Sequence, residues 1–473
     1  MTSVALVAGV DSSTQSTTVE VRELDSGRVV ARASAPHPPT TPPRSEHDPA
    51  AWWSAFESAW EAVGAPEVVA ISAAGQQHGM VALDAERSVI RPAKLWNDTE
   101  SAPDAGWLIS QLEGGGAAWA AAVGSVPVAA FTAAKLSWLH RSEPQHWARL
   151  AHVVLPHDWL TLQLTGALVT DRGDASGTGY WSPGTGEYRF DLLALIDGGL
   201  DWSQVVPRVA EPGEVVGEWR GARVACGTGD NMAAALGLAV RSGEAVISIG
   251  TSGTVYTVVD QATTDPGGAV AGFADATGRF LPLVCTLNAA KVTDAVRRLL
   301  GVDPSSFDAL ALAVPAGADG LTMLPYFDGE RTPDLPRATG AIVGLRSDVS
   351  REQLARGTVE GVVCGLLDAL DALAAHAPVD AVVLTGGGAR SRAARQVLAE
   401  LCELPVTFAE ADEAVAAGAC VQAAAVADGR DHAEVIERWG FGGREPVLAE
   451  PSPDAATIRE RYRELRRALH PEQ

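Results

Sequence analysis

The sequence predicts an α/β protein with two similar domains, and three observations support this fold class. The chain has 473 residues, enough for two or three domains of ordinary size. A β-hairpin pattern near the N-terminus recurs about half the chain later. Short apolar strand patterns alternate with amphipathic helical patterns, as in mixed sheets covered by helices. We place the boundary near residue 240, which gives domains 1–240 and 241–473.

The composition indicates a globular protein with neither a membrane nor a nucleic-acid partner. Hydrophobic residues make up 47% of the chain and charged residues 20%, which is typical of a folded polypeptide. No apolar run approaches the roughly 18 to 20 residues that cross a bilayer, and no signal-peptide pattern is present. We therefore expect a soluble, cytoplasmic protein. The formal net charge of −23 would repel phosphate backbones over most of the surface.

The five cysteines are widely scattered, with no CxxC pair and no histidine at zinc-ligand spacing. They are Cys226, Cys285, Cys364, Cys402 and Cys420. This pattern predicts buried, reduced thiols and excludes both a disulfide scaffold and a thiolate metal site.

The two hairpins predict one phosphate-binding turn in each domain. In the first hairpin, a strand over 4–10 meets the turn 11–16, and a strand over 17–21 returns. In the second, the strand 245–249 meets the turn 250–254 and the chain returns over 255–259. Serine, threonine and glycine in such turns expose N–H and hydroxyl donors, which suit a phosphate ligand.

The remaining patterns predict the helices and strands around these turns. In the first domain, helices are predicted over 48–63, 133–140 and 232–240, and strands over 68–72, 153–155 and 224–226. In the second domain, helices are predicted over 289–300, 350–375, 389–401 and 455–469, with a strand at 381–384. Trp52 and Trp53 are adjacent on one helix, so at most one can face the core fully. The helix at 350–375 is expected to be buried, with Asp368 and Asp371 solvated.

Three polar loops follow predicted strands of the first domain and suggest one ligand site. They are the segments 75–79 (Gly-Gln-Gln-His-Gly), 95–98 (Leu-Trp-Asn-Asp) and 226–232, in which Asp230 precedes an apolar helix. Loops at strand ends converge on one sheet edge, where α/β domains usually bind ligands. A structural alternative remains open for each: Asp230 as a helix cap, His78 as a satisfied loop histidine, and the Trp-Asn-Asp segment as a surface turn.

Eight segments, in the same order along nearly the whole chain, resemble the FGGY carbohydrate kinases. They are 11–16, 75–79, 95–98, 131–138, 229–231, 250–253, 329–333 and 386–390. The phosphate turns and the triple glycine also resemble the wider actin-like superfamily, whereas the Gln-His-Gly and Leu-Trp-Asn-Asp segments suggest a pentulose. The resemblance implies two ribonuclease-H-like domains of the actin/hexokinase type with an active-site cleft between them.

The activity implied by the resemblance is phosphoryl transfer from ATP, with Mg²⁺, to the 5-hydroxyl of D-xylulose. Another ketose or polyol, such as ribulose, is an alternative substrate, and a sugar-sensing homologue without turnover is an alternative function. Asp230 would be the general base. Asp11 would hold Mg²⁺, or alternatively stabilise the turn as an Asx residue. The partners would be ATP and a small sugar, and a homodimer is compatible with the family.

The resemblance also implies the binding residues. The sugar pocket would include Gln77, His78, Trp96 and Asn231 together with Asp230. Phosphate contacts would come from Ser12, Thr14, Gly250, Thr251 and Ser252. The nucleotide would lie against Gly386, Gly387, Gly388 and Arg390, since glycines let the adenine approach the backbone.

Three residues depart from the family pattern. Ser13 stands where glycine is usual, Thr18 where lysine is frequent and Glu100 where arginine is common. Glu100 could alter which ketose is held, or could simply point to solvent. Lys135 lies in a family-like segment, where a surface salt bridge and a functional contact are both open.

Overall fold

The computed structural model describes residues 4–410 and 413–471, and the chain divides into two compact units. The first unit comprises Met1–Ala239, Val259–Leu281 and Glu413–Gly442. The second comprises Val240–Val258, Pro282–Asp412 and Gly443–Gln473. Two segments from the second half of the sequence therefore fold with the first unit.

The first unit is built on a mixed sheet whose centre is the N-terminal hairpin. Leu6–Ser12 pairs antiparallel with Ser16–Glu23 and parallel with Ala70–Gly75. Its strands are Leu6–Ser12, Ser16–Glu23, Val29–Pro36, Glu46–His47, Ala70–Gly75, Val81–Leu83, Ala93–Lys94, His152–Val154, Val169–Asp171, Trp181–Ser182, Glu187–Tyr188, Arg208–Ala210, Val215–Trp219, Ala222–Ala225, Thr228–Gly229 and Ala271–Ala274. Its helices are Pro49–Ala62, Ala102–Ser110, Gly115–Val123, Thr132–Ser142, Pro144–Trp147, Pro156–Thr165, Arg172–Ala175, Phe190–Leu193, Trp202–Val205, Asp230–Gly237, Ala414–Asp428 and His432–Trp439.

The second unit is built on a mixed sheet centred on the second hairpin. Gly243–Ile249 pairs antiparallel with Gly253–Thr257 and parallel with Val379–Thr385. Its strands are Gly243–Ile249, Gly253–Thr257, most of Phe280–Thr286, Thr322–Leu324, Ala341–Val343, Val379–Thr385, Val406–Phe408 and Glu445–Pro446. Its α-helices are Ala290–Leu300, Pro304–Leu312, Arg351–Ala374, Arg392–Leu401 and Ala455–Leu469, and 3₁₀ turns occur at Ala318–Gly320 and Gly387–Arg390.

The two sheets have the same strand plan, which confirms the internal duplication. In each, two successive antiparallel strands lie on one side of the first hairpin strand. Two parallel strands and a final antiparallel strand then follow. The strand Ala70–Gly75 in the first unit and Val379–Thr385 in the second hold equivalent places. The loops that follow these two strands are therefore structural counterparts.

The sheet of the first unit is covered on both faces. Ala8 and Val10 face a core cluster that contains Trp52. The alternate residue Gly9 faces the alanine-rich helix Ala414–Asp428, since a Cβ at Gly9 would lie 2.2 Å from the carbonyl oxygen of Ala416. Trp52 is fully buried and Trp53 only partly, as the adjacent positions predicted.

The long helix Arg351–Ala374 packs in the second unit as expected, but its acidic residues do not behave as predicted. Asp368 accepts from Arg463 at 2.9 Å and from Arg466 at 2.7 Å. Asp371 accepts from Arg463 at 2.6 Å. Asp371 is exposed as expected and Asp368 only partly so, but neither acid is simply solvated, because the arginine-rich helix Ala455–Leu469 pairs with both.

Most elements lie where the sequence patterns placed them, with small shifts at their ends. The helix predicted from 389 begins at Arg392 instead, because residues 387–390 form a 3₁₀ turn and Ser391 caps the helix. The cysteines are free thiols, and four of them are buried, but Cys285 is partly exposed. Across residues 4–410 and 413–471, none of the helices is both long enough and apolar enough to cross a membrane.

Candidate active site

Asp230 is the first residue of the helix Asp230–Gly237, directly after the short strand Thr228–Gly229. Gly229, rather than Asp230, occupies the N-cap position of this helix. The Asp230 carboxylate accepts hydrogen bonds from the backbone N–H and the side-chain amide of Asn231, at 2.8 and 2.9 Å. The side chain is partly buried and so combines a defined orientation with access from solvent.

The electrostatic environment of Asp230 suits a group that must gain and lose a proton. Burial, followed by the negative charges of Asp11 and Asp174, raises the pKa of Asp230 to about 7. Asp11 is thus near enough for its charge to act on Asp230. A carboxyl group with a pKa near neutrality is an effective general base at physiological pH.

A chain of amide contacts links Asp230 to the Gly-Gln-Gln-His-Gly loop. Asn231 donates from its side-chain amide to Oε1 of Gln77 at 2.9 Å as well as to Asp230. The side-chain nitrogens of Gln76 and Gln77 are buried and have no hydrogen-bond partner among the residues that the structure describes. Buried donors of this kind are normally satisfied by a ligand or by water, which favours a polar ligand at this place.

His78 is held rigidly in the same loop. Its backbone has a φ of +66°, and its Nδ1 donates to the carbonyl oxygen of Gly177 at 2.7 Å. The imidazole packs against both Phe131 and Phe273, with ring-centroid distances of 5.0 and 5.5 Å, and the two phenyl rings also contact each other. Thr132 donates to the carbonyl of His78 at 3.1 Å. The hydrogen bond of Nδ1 agrees with the alternative that His78 is a loop histidine with its own hydrogen-bond partner. Aromatic packing fixes the position of the ring.

Trp96 contacts the first hairpin turn. Its indole N–H donates to Oγ1 of Thr14 at 2.8 Å, and the Thr14 hydroxyl lies 3.4 Å from Oε1 of Gln76. Trp96 is therefore not part of an isolated surface turn. The Trp-Asn-Asp segment, the first turn and the Gln-Gln-His loop meet within the first unit.

The first turn buries its carboxylate and one of its predicted phosphate-binding hydroxyls. Asp11 is buried, and Ser13 donates to its Oδ1 at 2.6 Å. Ser12 is fully buried and accepts from Thr17 at 3.2 Å, so its side chain stabilises the hairpin. Thr18, where the family often has lysine, contacts Ser34 across the sheet at 3.2 Å.

The donor chemistry of Asp11 fits a hard divalent cation. Burial raises the pKa of Asp11 to about 7, because the charged carboxylate is poorly solvated there, and Glu413 adds to the effect. A bound cation would reverse this penalty by stabilising the ionised form. Carboxylate oxygens are the ligands that Mg²⁺ prefers.

Glu100 points neither toward the sugar-pocket residues described above nor freely to solvent. It accepts from the buried Lys94 at 2.7 Å and from the exposed Arg44 at 3.0 Å. These contacts lower the pKa of Glu100 to about 2. The carboxylates of Glu46, Asp98 and Glu100 lie within 4.8 Å of one another, but the ammonium of Lys94 contacts all three. Arg44 also pairs with Glu100 and Arg91 with Glu46, so three cations balance the three acids and the cluster is not a metal site.

The second unit brings its two glycine-containing turns together. Gly250 and Thr251 are exposed and Ser252 partly so, and the N–H of Gly250 donates to the carbonyl of Ser252 at 2.9 Å. Cβ atoms added at Gly386 and Gly388 would lie 2.7 and 2.4 Å from atoms of Ile249, the residue before Gly250. The close approach of these backbones requires glycine.

The family-like segments 131–138 and 329–333 each contain a buried charged side chain that is held by contacts within its own unit. Lys135 is fully buried and donates to the carbonyl oxygens of Ala129 and Ala130, so the surface salt bridge considered for it is wrong. In the second unit, Glu330 accepts from the side chain of Asn288 at 2.9 Å. Arg390 is exposed at the end of the 3₁₀ turn Gly387–Arg390.

A buried ionic cluster that the sequence patterns did not predict lies next to the loop 75–79. Asp174 acts electrostatically on Asp230 and accepts from the backbone of His78, and His157 pairs with Asp174 at 2.8 Å. The available signal was a Pro-His-Asp segment at 156–158, directly after the strand His152–Val154. Polar residues at strand ends indicated the other site loops, and the same reasoning applies here.

Comparison with known protein families identifies the class of protein to which this fold and site belong. The N-terminal domain of the FGGY family of carbohydrate kinases matches residues 6–237, and the C-terminal domain of that family matches residues 245–427. The chain belongs to the FGGY family of carbohydrate kinases, which confirms the resemblance predicted from its motifs.

The similar proteins include several xylulose kinases. The chain is 48% identical over 466 residues to the xylulose kinase of Streptomyces coelicolor, covering 96% of this chain and 94% of that protein. It is 47% identical to the xylulose kinase of Streptomyces rubiginosus with the same coverage. The crystal structure of xylulose kinase from Bifidobacterium adolescentis is 39% identical, with a TM-score of 0.86, covering 98% of this chain and 99% of that one.

Proposed function

We propose that this carbohydrate kinase transfers the γ-phosphoryl group of ATP to the 5-hydroxyl of D-xylulose, forming D-xylulose 5-phosphate and ADP. The xylulose kinases from two Streptomyces species, each covering 96% of this chain, support this choice of substrate. The observation that carries the chemistry is the carboxyl of Asp230, whose pKa is raised to about 7 at the start of a helix.

Asp230 is the general base of the proposed reaction. It takes the proton of the sugar hydroxyl as the oxygen forms its bond to the γ-phosphorus, and the bond from that phosphorus to the β–γ bridging oxygen breaks. Asn231 orients the carboxylate through the two hydrogen bonds that it donates. Phosphoryl transfer depends mainly on such positioning and on charge stabilisation.

The sugar would be bound by the amide and imidazole groups near Asp230. Gln77 offers a buried side-chain nitrogen that no group in the described part of the chain hydrogen-bonds, and a sugar hydroxyl would satisfy it. His78 presents a ring that is held by packing against Phe131 and Phe273. Trp96 would cover the sugar while its indole N–H stays on Thr14.

The nucleotide would be bound by turns in both halves of the sequence. Thr14 and the exposed turn Gly250, Thr251 and Ser252 would donate to phosphate oxygens. The backbone at Gly386, Gly387 and Gly388 would accommodate adenine, with Arg390 beside it. Asp11 would hold Mg²⁺, which, when bound, neutralises phosphate charge during transfer.

A coupled assay of ADP release over a panel of sugars tests the proposal. D-xylulose is expected to have the highest kcat/KM, compared with D-ribulose, L-ribulose and polyols. A higher kcat/KM for another sugar would reassign the substrate. ATP-independent sugar binding without ADP release would instead support the sugar-sensing alternative.

A further inference from the structure

A buried ionic cluster lies against the two loops of the candidate site, and its centre is His157. This side chain is fully buried at the start of the helix Pro156–Thr165. Its Nδ1 donates to Asp174 Oδ2 at 2.8 Å. On the other side of the ring, Nε2 lies 3.2 Å from Asp158 Oδ1 and 3.6 Å from Asp171 Oδ1. Three carboxylates therefore surround one imidazole in a water-poor environment.

On one side, the cluster contacts residues 75–79, the loop proposed to bind the sugar (the sugar loop). Asp174 accepts a hydrogen bond from the backbone of His78, next to Gln77 in the Gly-Gln-Gln-His-Gly segment. His157 also packs on the start of this loop, because a Cβ at Gly75 would lie 3.1 Å from Cβ of His157. A change at His157 would therefore reach the sugar loop through both an ion pair and a backbone contact.

On its other side, the cluster contacts residues 227–230, the segment that ends with Asp230. Thr228, two residues before Asp230, donates to Asp171 Oδ2 at 2.7 Å. Gly227 lies against the imidazole, since a Cβ at this glycine would be 2.8 Å from His157 Cδ2. The same histidine thus contacts both segments from which the candidate site is built.

We propose that His157 is a positioning residue whose buried positive charge joins the sugar loop, through Asp174, to the Asp230 segment, through Asp171. This inference rests on the proposed function of Asp230 and His78. The imidazolium offsets the repulsion among three carboxylates that would otherwise be costly to bury together. Loss of its charge would release both segments at once.

The surrounding carboxylates keep the imidazole of His157 protonated at neutral pH. Burial opposes protonation, but Asp158, Asp174 and Asp171 outweigh it and raise the pKa of His157 to about 9. The other titratable groups that interact with these acids are Asp230, Tyr180, Tyr188 and Cys226. Burial raises the pKa of Asp158 and that of Asp230 to about 7, so both are already ionised when His157 titrates near 9. Burial also raises the pKa of Tyr180, Tyr188 and Cys226, which remain neutral at that pH.

The experiment compares His157→Gln, which removes the charge, with His157→Lys, which retains one. His152→Gln is the matched control, because His152 lies just before this helix and outside the cluster. For His157→Gln we expect at least a tenfold fall in kcat and a several-fold rise in the KM for D-xylulose, with the KM for ATP within twofold. His157→Lys should recover most of the lost kcat. Near-native kinetics of His157→Gln would overturn the proposal. So would a kcat of His157→Lys that is no higher than that of His157→Gln.

Hydrogen–deuterium exchange gives a readout that does not depend on turnover. In His157→Gln, exchange should rise together in residues 76–79 and 228–231 and stay unchanged in the helix Arg351–Ala374 of the second unit. Wild-type protein inactive toward every sugar would refute the proposed function, whereas unchanged exchange would refute the positioning role of His157.

Two further measurements keep the proposal testable if His157→Gln does not fold. Thr228→Val removes only the bond to Asp171, so exchange should rise in 228–231 but not in 76–79, with a three- to tenfold fall in kcat. In the wild type, kcat should fall as pH rises through about 9, where His157 loses its proton. In His157→Lys this fall should move toward the higher pKa of lysine. A Thr228→Val protein with unchanged exchange, or an alkaline limit identical in the lysine variant, would contradict the proposal.

Discussion

At the scale of single residues, the proposed chemistry depends on how burial and neighbouring charges act on Asp230. The carboxyl receives two hydrogen bonds from Asn231, which favour the ionised form, while burial, Asp11 and Asp174 favour the protonated form. The opposing effects leave its pKa near 7 rather than near the ordinary value for aspartate. Asp230 can therefore both accept and release a proton under physiological conditions.

Replacing Asp230 by asparagine is expected to abolish most turnover without unfolding the protein. Removal of a general base costs roughly two to four orders of magnitude in kcat. In the wild type, kcat/KM should rise as pH increases through about 7, because the base must be ionised. The control is Asp303→Asn, which keeps an amide at the cap of another helix and should leave kcat unchanged. Near-native turnover of Asp230→Asn would refute its assignment as the base.

The same substitution should also stabilise the protein in a pH-dependent way. Because the folded-state pKa of Asp230 is raised, the stability associated with its protonated form is lost as pH increases from about 4 to about 7. Asp230→Asn lacks this loss, so its melting temperature should exceed that of the wild type by about 2 to 8 °C at pH 8. The difference should vanish below about pH 4. A lower melting temperature at pH 8 would contradict the raised pKa.

Glu100 offers a second test at this scale, because it pairs with Lys94 and Arg44 instead of facing the sugar residues. Glu100→Arg would place a third cation beside these two and is expected to lower the melting temperature by several degrees. The ranking of sugars should stay the same. Glu100→Gln, as the control, should cost less because it adds no positive charge. A changed sugar ranking in Glu100→Arg would show that this position reaches the substrate.

At the scale of elements, the helix that begins with Asp230 is fixed by close packing on the alanine-rich helix Ala414–Asp428. A Cβ at Gly418 would lie 1.9 Å from the carbonyl oxygen of Ala233, and a Cβ at Gly237 would lie 2.0 Å from that of Ala414. The two helices can approach this closely only because glycine stands at both contacts. The position of the Asp230 carboxylate therefore depends on a helix almost two hundred residues later in the sequence.

Gly418→Ala is expected to displace the Asp230 helix, because the added methyl group would meet backbone rather than a flexible side chain. We expect a loss of about 1 to 3 kcal/mol in stability, as for other overpacked cores, and a reduced kcat. The matched control is Gly106→Ala in the helix Ala102–Ser110, where an added Cβ would meet no heavy atom within 4 Å. That variant should be neutral or more stable by up to about 1 kcal/mol. Equal effects of the two substitutions would exclude the packing argument.

At the scale of the whole molecule, the chain repeats one sheet plan twice and carries a large negative charge. A formal net charge of −23 produces self-repulsion that salt screens. We expect the melting temperature to rise by a few degrees between about 10 and 150 mM NaCl. Sucrose at equal osmolarity is the control for effects of the solute other than screening. A melting temperature independent of salt would mean that the surface charges are already locally balanced.

Much of the fold and part of the candidate site could be predicted from local sequence. The hairpins, the glycine turns and the strand-end loops 75–79 and 226–232 depend on short patterns, since turn residues and apolar periodicity act over few residues. Asp11 and Asp230 stood out for this reason. The ionic cluster did not, because His157, Asp171 and Thr228 are far apart in sequence and become partners only when three separate segments fold together.

The sequence by itself determined the family, the duplicated α/β plan and the kinds of side chain at the candidate site, because each depends on motifs written in contiguous residues. Only the tertiary structure decided the environment of these side chains. It buried Asp11 and Ser12, paired Glu100 with Lys94 and enclosed Lys135 beneath carbonyl oxygens. The physical reason is that burial and charge neighbours, which set a pKa or satisfy a cation, are properties of the space around a residue and not of its position in the chain.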